Sequence, residues 1–157
     1  MGYYRDVDHT SSSLNRNAFV ATGHCLTGCA IGEVLGMVIA TALGWGGAAS
    51  IVLAVCLAFL FGYALTLGPV VRAGVPLKRA ARLTLASDTV SITTMEIVDN
   101  AFIVLVPGAL AAGLGDRLFW LSLAASLVIA FIATFPVNRW LIARGRGHAV
   151  VHAQHGH

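Results

Sequence analysis

Four apolar stretches, each longer than the roughly 20 residues a helix needs to cross the hydrocarbon of a bilayer, occupy most of this chain. They run from about residue 18 to 43, 48 to 71, 83 to 110 and 118 to 143. In lipid every backbone polar group must be satisfied internally, so only helices or closed barrels span. The stretches lack the strict alternation of barrel strands. The sequence therefore predicts an all-α, four-helix transmembrane bundle, a single membrane domain over residues 18–143. A polar segment, 1–17, precedes it, and a His-rich tail, 144–157, follows.

Composition agrees. Hydrophobic residues make up 57% of the 157 residues and charged residues 11%, against about a quarter charged in a soluble domain. The net charge of +3 is small and unclustered, so nucleic acid is not an expected partner. No phosphate-binding loop is present, so neither is a nucleotide. The lipid bilayer is the expected surrounding. The first 17 residues are too polar for a cleavable signal peptide.

Basic residues in the short connections set the expected orientation. The Gly44-Trp45-Gly46-Gly47 connection has none. The second carries Arg72, Lys78, Arg79 and Arg82, around Pro76. The third has Arg117 beside Asp116. The C-terminal end carries Arg139, at the end of the last span, and Arg144 and Arg146 beyond it. The positive-inside rule then puts both termini in the cytoplasm, in an inner cell membrane. Trp45, Trp120 and Trp140 fall near span ends, where interfacial aromatics are expected. Pro69, Pro107 and Pro136 lie near span ends and are expected to shape kinks there.

The polar residues inside the spans carry the functional argument. In span 1, Cys25, Cys29, Glu33 and Met37 recur every four residues and form one ridge, with His24 about 100° to its side. Gly28, Gly32 and Gly36 make overlapping G-x-x-x-G patterns beside it, a face on which another helix can pack closely. That face leaves a homo-oligomer open. In span 3, Asp88, Met95 and Asp99 share a face, and Glu96 and Asn100 lie on the adjacent one. Asp88, being near the basic segment, is expected at headgroup level. A charged residue at the bilayer centre costs about 2.5–3.5 kcal/mol even on the lenient scale. No Lys or Arg lies deep in any span to offset Glu33, Glu96 and Asp99. Protons, a bound cation or water must do so. Spans 1 and 3 run parallel in an up-down bundle, so Glu33 and Glu96 fall at matching depths. Spans 2 and 4 look plain and are expected to face lipid or a neighbouring subunit.

Thiols, an imidazole, a thioether and carboxylates together make a ligand set for a transition metal of the Zn or Cu class. The leading expectation is such a site, serving metal transport or homeostasis. Its ligands would be Cys25, Cys29, Glu33, Glu96 and Asp99, with His24 and Met95 peripheral. The alternative is proton or cation translocation without a fixed metal. The third reading is a membrane enzyme using the same site, although no catalytic signature demands one. A Cys25–Cys29 disulfide is disfavoured, because one helical turn separates side chains not aimed at each other. Cys56 reads as a small apolar residue. His148, His152, His155 and His157 could hold metal loosely or simply be solvated.

The segments His24-Cys25-Leu26-Thr27-Gly28-Cys29-Ala30-Ile31-Gly32-Glu33-Val34-Leu35-Gly36 and Met95-Glu96-Ile97-Val98-Asp99-Asn100, with the ending Phe135-Pro136-Val137-Asn138-Arg139-Trp140-Leu141-Ile142, resemble a bacterial family of small four-helix membrane proteins, a domain of unknown function. The resemblance runs from about residue 18 to 148. It implies the four-span fold and marks the same polar stretches, but implies no activity.

Overall fold

The computed structural model describes residues 3–72, 74 and 76–144. Over these the chain is all α. Helix α1 spans Tyr3–Ala42, α2 Ala48–Arg72, α3 Leu77–Leu105 and α4 Arg117–Ala143, with a single 3₁₀ turn at Ala109–Ala111 between the last two. Each of the four expected stretches forms a helix. Helix α1 is longer than its apolar run. Its 40 residues rise about 60 Å, so the polar residues from Tyr3 onward continue the span as the same helix. Helix α3 ends earlier than the apolar run, which extends to residue 110. Its last residue is Leu105, and Pro107 and Gly108 (φ +81°) break the chain before the 3₁₀ turn. Pro107, with no N–H to donate, suits that break. Pro69 and Pro136 lie inside α2 and α4.

Three helices, α1 (from Ser11), α2 (to Pro69) and α4, are long and apolar enough to cross a membrane. Helix α3, which holds Asp88, Glu96 and Asp99, is outside that group. Its design is nevertheless inverted relative to a soluble helix. Ser87, Asp88, Ser91, Glu96 and Asp99 point into the bundle and are buried, while Val90, Ile97 and Val104, one heptad apart, face outward and are exposed. A soluble amphipathic helix does the reverse. Elsewhere the outer surface is also apolar, with Phe19, Val52, Leu60, Leu121, Val128 and Ile132 exposed. Large exposed apolar surface of this kind suits a lipid environment. Trp45, Trp120 and Trp140 stand exposed near helix ends. Trp120 Nε1 donates to the Leu114 carbonyl at 2.9 Å, and the Arg144 guanidinium sits 4.1 Å from the Trp140 ring centre.

The Gly28–Gly32–Gly36 stripe is filled from within the chain. A Cβ at Gly28 would lie 2.6 Å from Gly62 Cα, one at Gly36 would lie 2.6 Å from Ala54 Cα, and one at Gly32 would collide with the Ala58 backbone. Residues 54, 58 and 62 are themselves a small-residue ridge of period four, so α1 and α2 meet backbone to backbone as an antiparallel pair. The tight G-x-x-x-G contact expected from the sequence exists, but its partner is α2 and not a second copy of the chain. The turn that joins the pair needs glycine, because Gly44 and Gly47 adopt φ of +68° and +58°, a region costly for other residues.

Candidate functional site

Parallel α1 and α3 bring their polar ridges together step by step. Cys25 lies near Ser91 and Asp88, Cys29 near Glu96, and Glu33 near Asp99 and Glu96. Each step is one helical turn on α1 and about the same on α3, so the depths matched in the sequence do coincide. Glu96 is 5% exposed and Asp99 3%. Both oxygens of Glu33, Oε1 of Glu96 and Oδ1 of Asp99 are buried without a hydrogen-bond partner. The remaining Glu96 oxygen, Oε2, accepts weakly from Asn100 Nδ2 at 3.4 Å. That amide also donates to the Glu96 carbonyl at 2.9 Å.

No Lys or Arg occurs between Arg16 and Arg72 or between Arg82 and Arg117. The three carboxyl groups therefore meet with no basic side chain from those segments. Unpaired buried charge is expensive, so such a cluster must hold protons, a cation or water.

A cavity of about 100 Å³ reaches this cluster, roomy enough for several water molecules. Glu33, Met37, Asp99 and Asn100 line it, together with Gly47 and Ser50 near the start of α2, Ala109 and Leu110, and Phe119 and Ser122 near the start of α4. It thus belongs to the end of the bundle that carries the α1–α2 turn and the 3₁₀ turn. On its other side Ile92, Met95, Ala58 and Ala130 pack with Cys25 and Cys29 into a buried apolar cluster. All three cysteines are free thiols. Cys25 and Cys29 are buried, and Cys56 is exposed on the outer face of α2.

Beyond the apolar cluster lies a second polar layer. Ser91 Oγ donates to Asn138 Oδ1, and Asn138 Nδ2 donates to Thr22 Oγ1 at 2.9 Å. Thr22 in turn donates to the Ala18 carbonyl at 2.7 Å. This network ties α1, α3 and α4 together. Asp88 lies against Thr66 of α2. It is buried within the bundle.

Several expectations about individual residues change. His24 is exposed, and its Nδ1 pairs with the Val20 carbonyl at 2.8 Å. It stands apart from the Cys29–Glu96 level and is closer to Asp88. Met95 is fully buried, within the apolar cluster. Among the described residues no three His, Cys, Asp or Glu side chains converge as a set that could hold a metal ion. His148, His152, His155 and His157 lie outside the described residues. Helix α4 is not plain. Ser122, Ser126, Ala130, Thr134 and Asn138, spaced by four, are all buried and make its inward ridge. That period was visible in the sequence and is the signal that would have found them.

The fold and the site define a helical membrane protein with an acidic core. The chain belongs to the family described as Domain of unknown function (DUF4396), whose model matches residues 14–147. No curated protein and no solved structure matches it.

Proposed function

We propose that this protein moves protons, or a small cation in their place, through the bundle by way of Glu33, Glu96 and Asp99. The observation that carries the reading is the convergence of three buried carboxyl groups with free oxygens and no basic partner in the spans that hold them. Groups that must be neutralised by something mobile are suited to exchanging it. Acids inside membrane segments commonly mark ion pathways and proton relays. The inverted amphipathicity of α3 supports its being a fourth span. The Asn138 network and Asp88 continue the polar line toward the opposite end, and the apolar cluster around Ile92 and Met95 separates the two halves. By the basic residues of the connections, the termini and the α2–α3 connection face the cytoplasm and the cavity faces away from it. An inner cell membrane is the corresponding location.

A second reading, transport of a transition metal of the Zn or Cu class, draws on the proximity of Cys29 to Glu96 and on Cys25 and Met95 in the same cluster. It ranks second because Cys25 and Cys29 also pack against Ile92, Met95, Ala58 and Ala130, whereas Glu33 and Asp99 line the cavity. An enzymatic role has no observation to favour it.

Purified protein in sealed vesicles containing a pH-sensitive dye separates the two. The first reading expects proton flux above protein-free vesicles, retained in the Cys25→Ser, Cys29→Ser double variant. Wild type that carries neither protons nor, with ion-sensitive dyes in the same vesicles, an alkali or alkaline-earth cation overturns it. Bound zinc or copper in wild type that the double cysteine variant loses, together with its flux, favours the second.

A further inference from the structure

The polar side chains lining the cavity spend their donors on acceptors of the protein itself. Asn100 spends Nδ2 on Glu96, which leaves its Oδ1 as an acceptor. Ser122 donates its hydroxyl to the Leu118 and Phe119 carbonyls at 2.6 and 3.0 Å, and Ser50 donates to the Gly47 carbonyl at 2.8 Å. Each hydroxyl keeps lone pairs free. The same cavity is lined by Asp99, 3% exposed with Oδ1 unpartnered, and by Glu33, with both oxygens unpartnered. The lining therefore offers acceptors to whatever enters. Such a space repels anions. Protons neutralise the acids one at a time and leave the amide and hydroxyl oxygens to water. A cation satisfies all of them together.

The donor type narrows the cation. The side-chain donors are oxygens from carboxyl, amide and hydroxyl groups, with the Met37 thioether the one sulfur among them. The thiols of Cys25 and Cys29 are packed in the apolar cluster instead. Oxygen sets select hard cations, whereas thiolates select soft ones. Two carboxylates also balance a divalent charge, and the volume leaves room for the ion to keep some of its water, as hard divalent ions do.

We infer that Glu33 and Asp99, with Asn100 and Ser122, form a binding site for a hard divalent cation, reached from the end of the bundle that carries the α1–α2 turn. The inference rests on the reading that the acidic core handles cations, and it names the class of cation and the side of access. Neither Cys25 nor Cys29 lines the cavity, so occupancy of the site is not expected to depend on them.

Mn²⁺ is the probe, followed by electron paramagnetic resonance on the protein in lipid nanodiscs. The expected result is saturable binding of a single Mn²⁺ that Ca²⁺ or Mg²⁺ displaces. Binding is lost in Glu33→Gln and Asp99→Asn and kept in the Cys25→Ser, Cys29→Ser double variant. Wild type that binds no Mn²⁺, or Asp99→Asn that binds it as wild type does, overturns the site. If proton flux is nevertheless present, the translocation reading survives that result. Mn²⁺ binding without any flux leaves the site and removes the translocation reading. Should the acidic variants misfold, Ser50→Cys in a Cys56→Ser background serves instead. A membrane-impermeant thiol reagent is expected to label it from the non-cytoplasmic side, and Mn²⁺ to slow the labelling. Labelling that Mn²⁺ leaves unchanged overturns the proposal.

Discussion

Glu33 of α1 and Asp99 of α3 come together in the lining of one cavity, and neither Glu33 oxygen has a hydrogen-bond partner. Two like groups meet there, and the segments on either side contain no base to separate them. The chain holds them in place through contacts made elsewhere, chiefly the α1–α2 glycine seam and the Asn138 network. Those two features can be tested apart from function.

The seam predicts a sharp contrast between neighbouring glycines. Gly32 faces the Ala58 backbone with no room for a Cβ, whereas a Cβ at Gly23 meets nothing within 4 Å. Gly32→Leu must push two backbones apart and is expected to destabilise by about 1–3 kcal/mol or more. Gly23→Ala is expected to be neutral or to stabilise by about 0.5–1 kcal/mol, from helix propensity. Thermal unfolding in detergent checks both. Equal tolerance of the two changes would mean that α1 and α2 do not touch as described.

Asn138 satisfies groups on two other helices at once. Asn138→Leu keeps the volume but takes from Ser91 Oγ its acceptor and from Thr22 Oγ1 the donor it receives, a loss of about 1–2 kcal/mol. Because Ser91 and Asn138 share one network, their substitutions are expected to be non-additive. A double-mutant cycle with Ser91→Ala measures this. Full additivity would show that the two side chains do not interact.

The thiols divide by exposure. N-ethylmaleimide is expected to modify Cys56 alone in the folded protein, and Cys25 and Cys29 only after unfolding, because those two are buried. Mass spectrometry reads the outcome. Rapid modification of Cys29 in the native bundle would contradict its place in the apolar cluster.

The spans were legible because apolar length is a strong and local signal. The convergence of Glu33 with Asp99 was legible too, since alternating direction makes α1 and α3 parallel and helix rise then matches depths. Other features depend on packing that a single sequence does not display. The Gly28–Gly32–Gly36 stripe is equally suited to a second copy or to α2, and only the complementary ridge at 54, 58 and 62 decides for α2. His24 adjoins Cys25 in the chain, but one residue is about 100° on a helix, enough to carry it from the core to the surface. Ser122, Ser126 and Thr134 escaped notice because hydroxyls barely lower the hydropathy of a long apolar run.

The account depends on Glu33, Glu96 and Asp99 acting as one exchangeable site. Proton flux in sealed vesicles, measured for Glu33→Gln, Glu96→Gln and Asp99→Asn beside wild type, tests this most directly. Each variant keeps the shape of the side chain and removes its charge. The expected result is flux from wild type and, in all three variants, a fall to the level of protein-free vesicles while the fold is retained. Wild-type flux in any one of the three folded variants would contradict it.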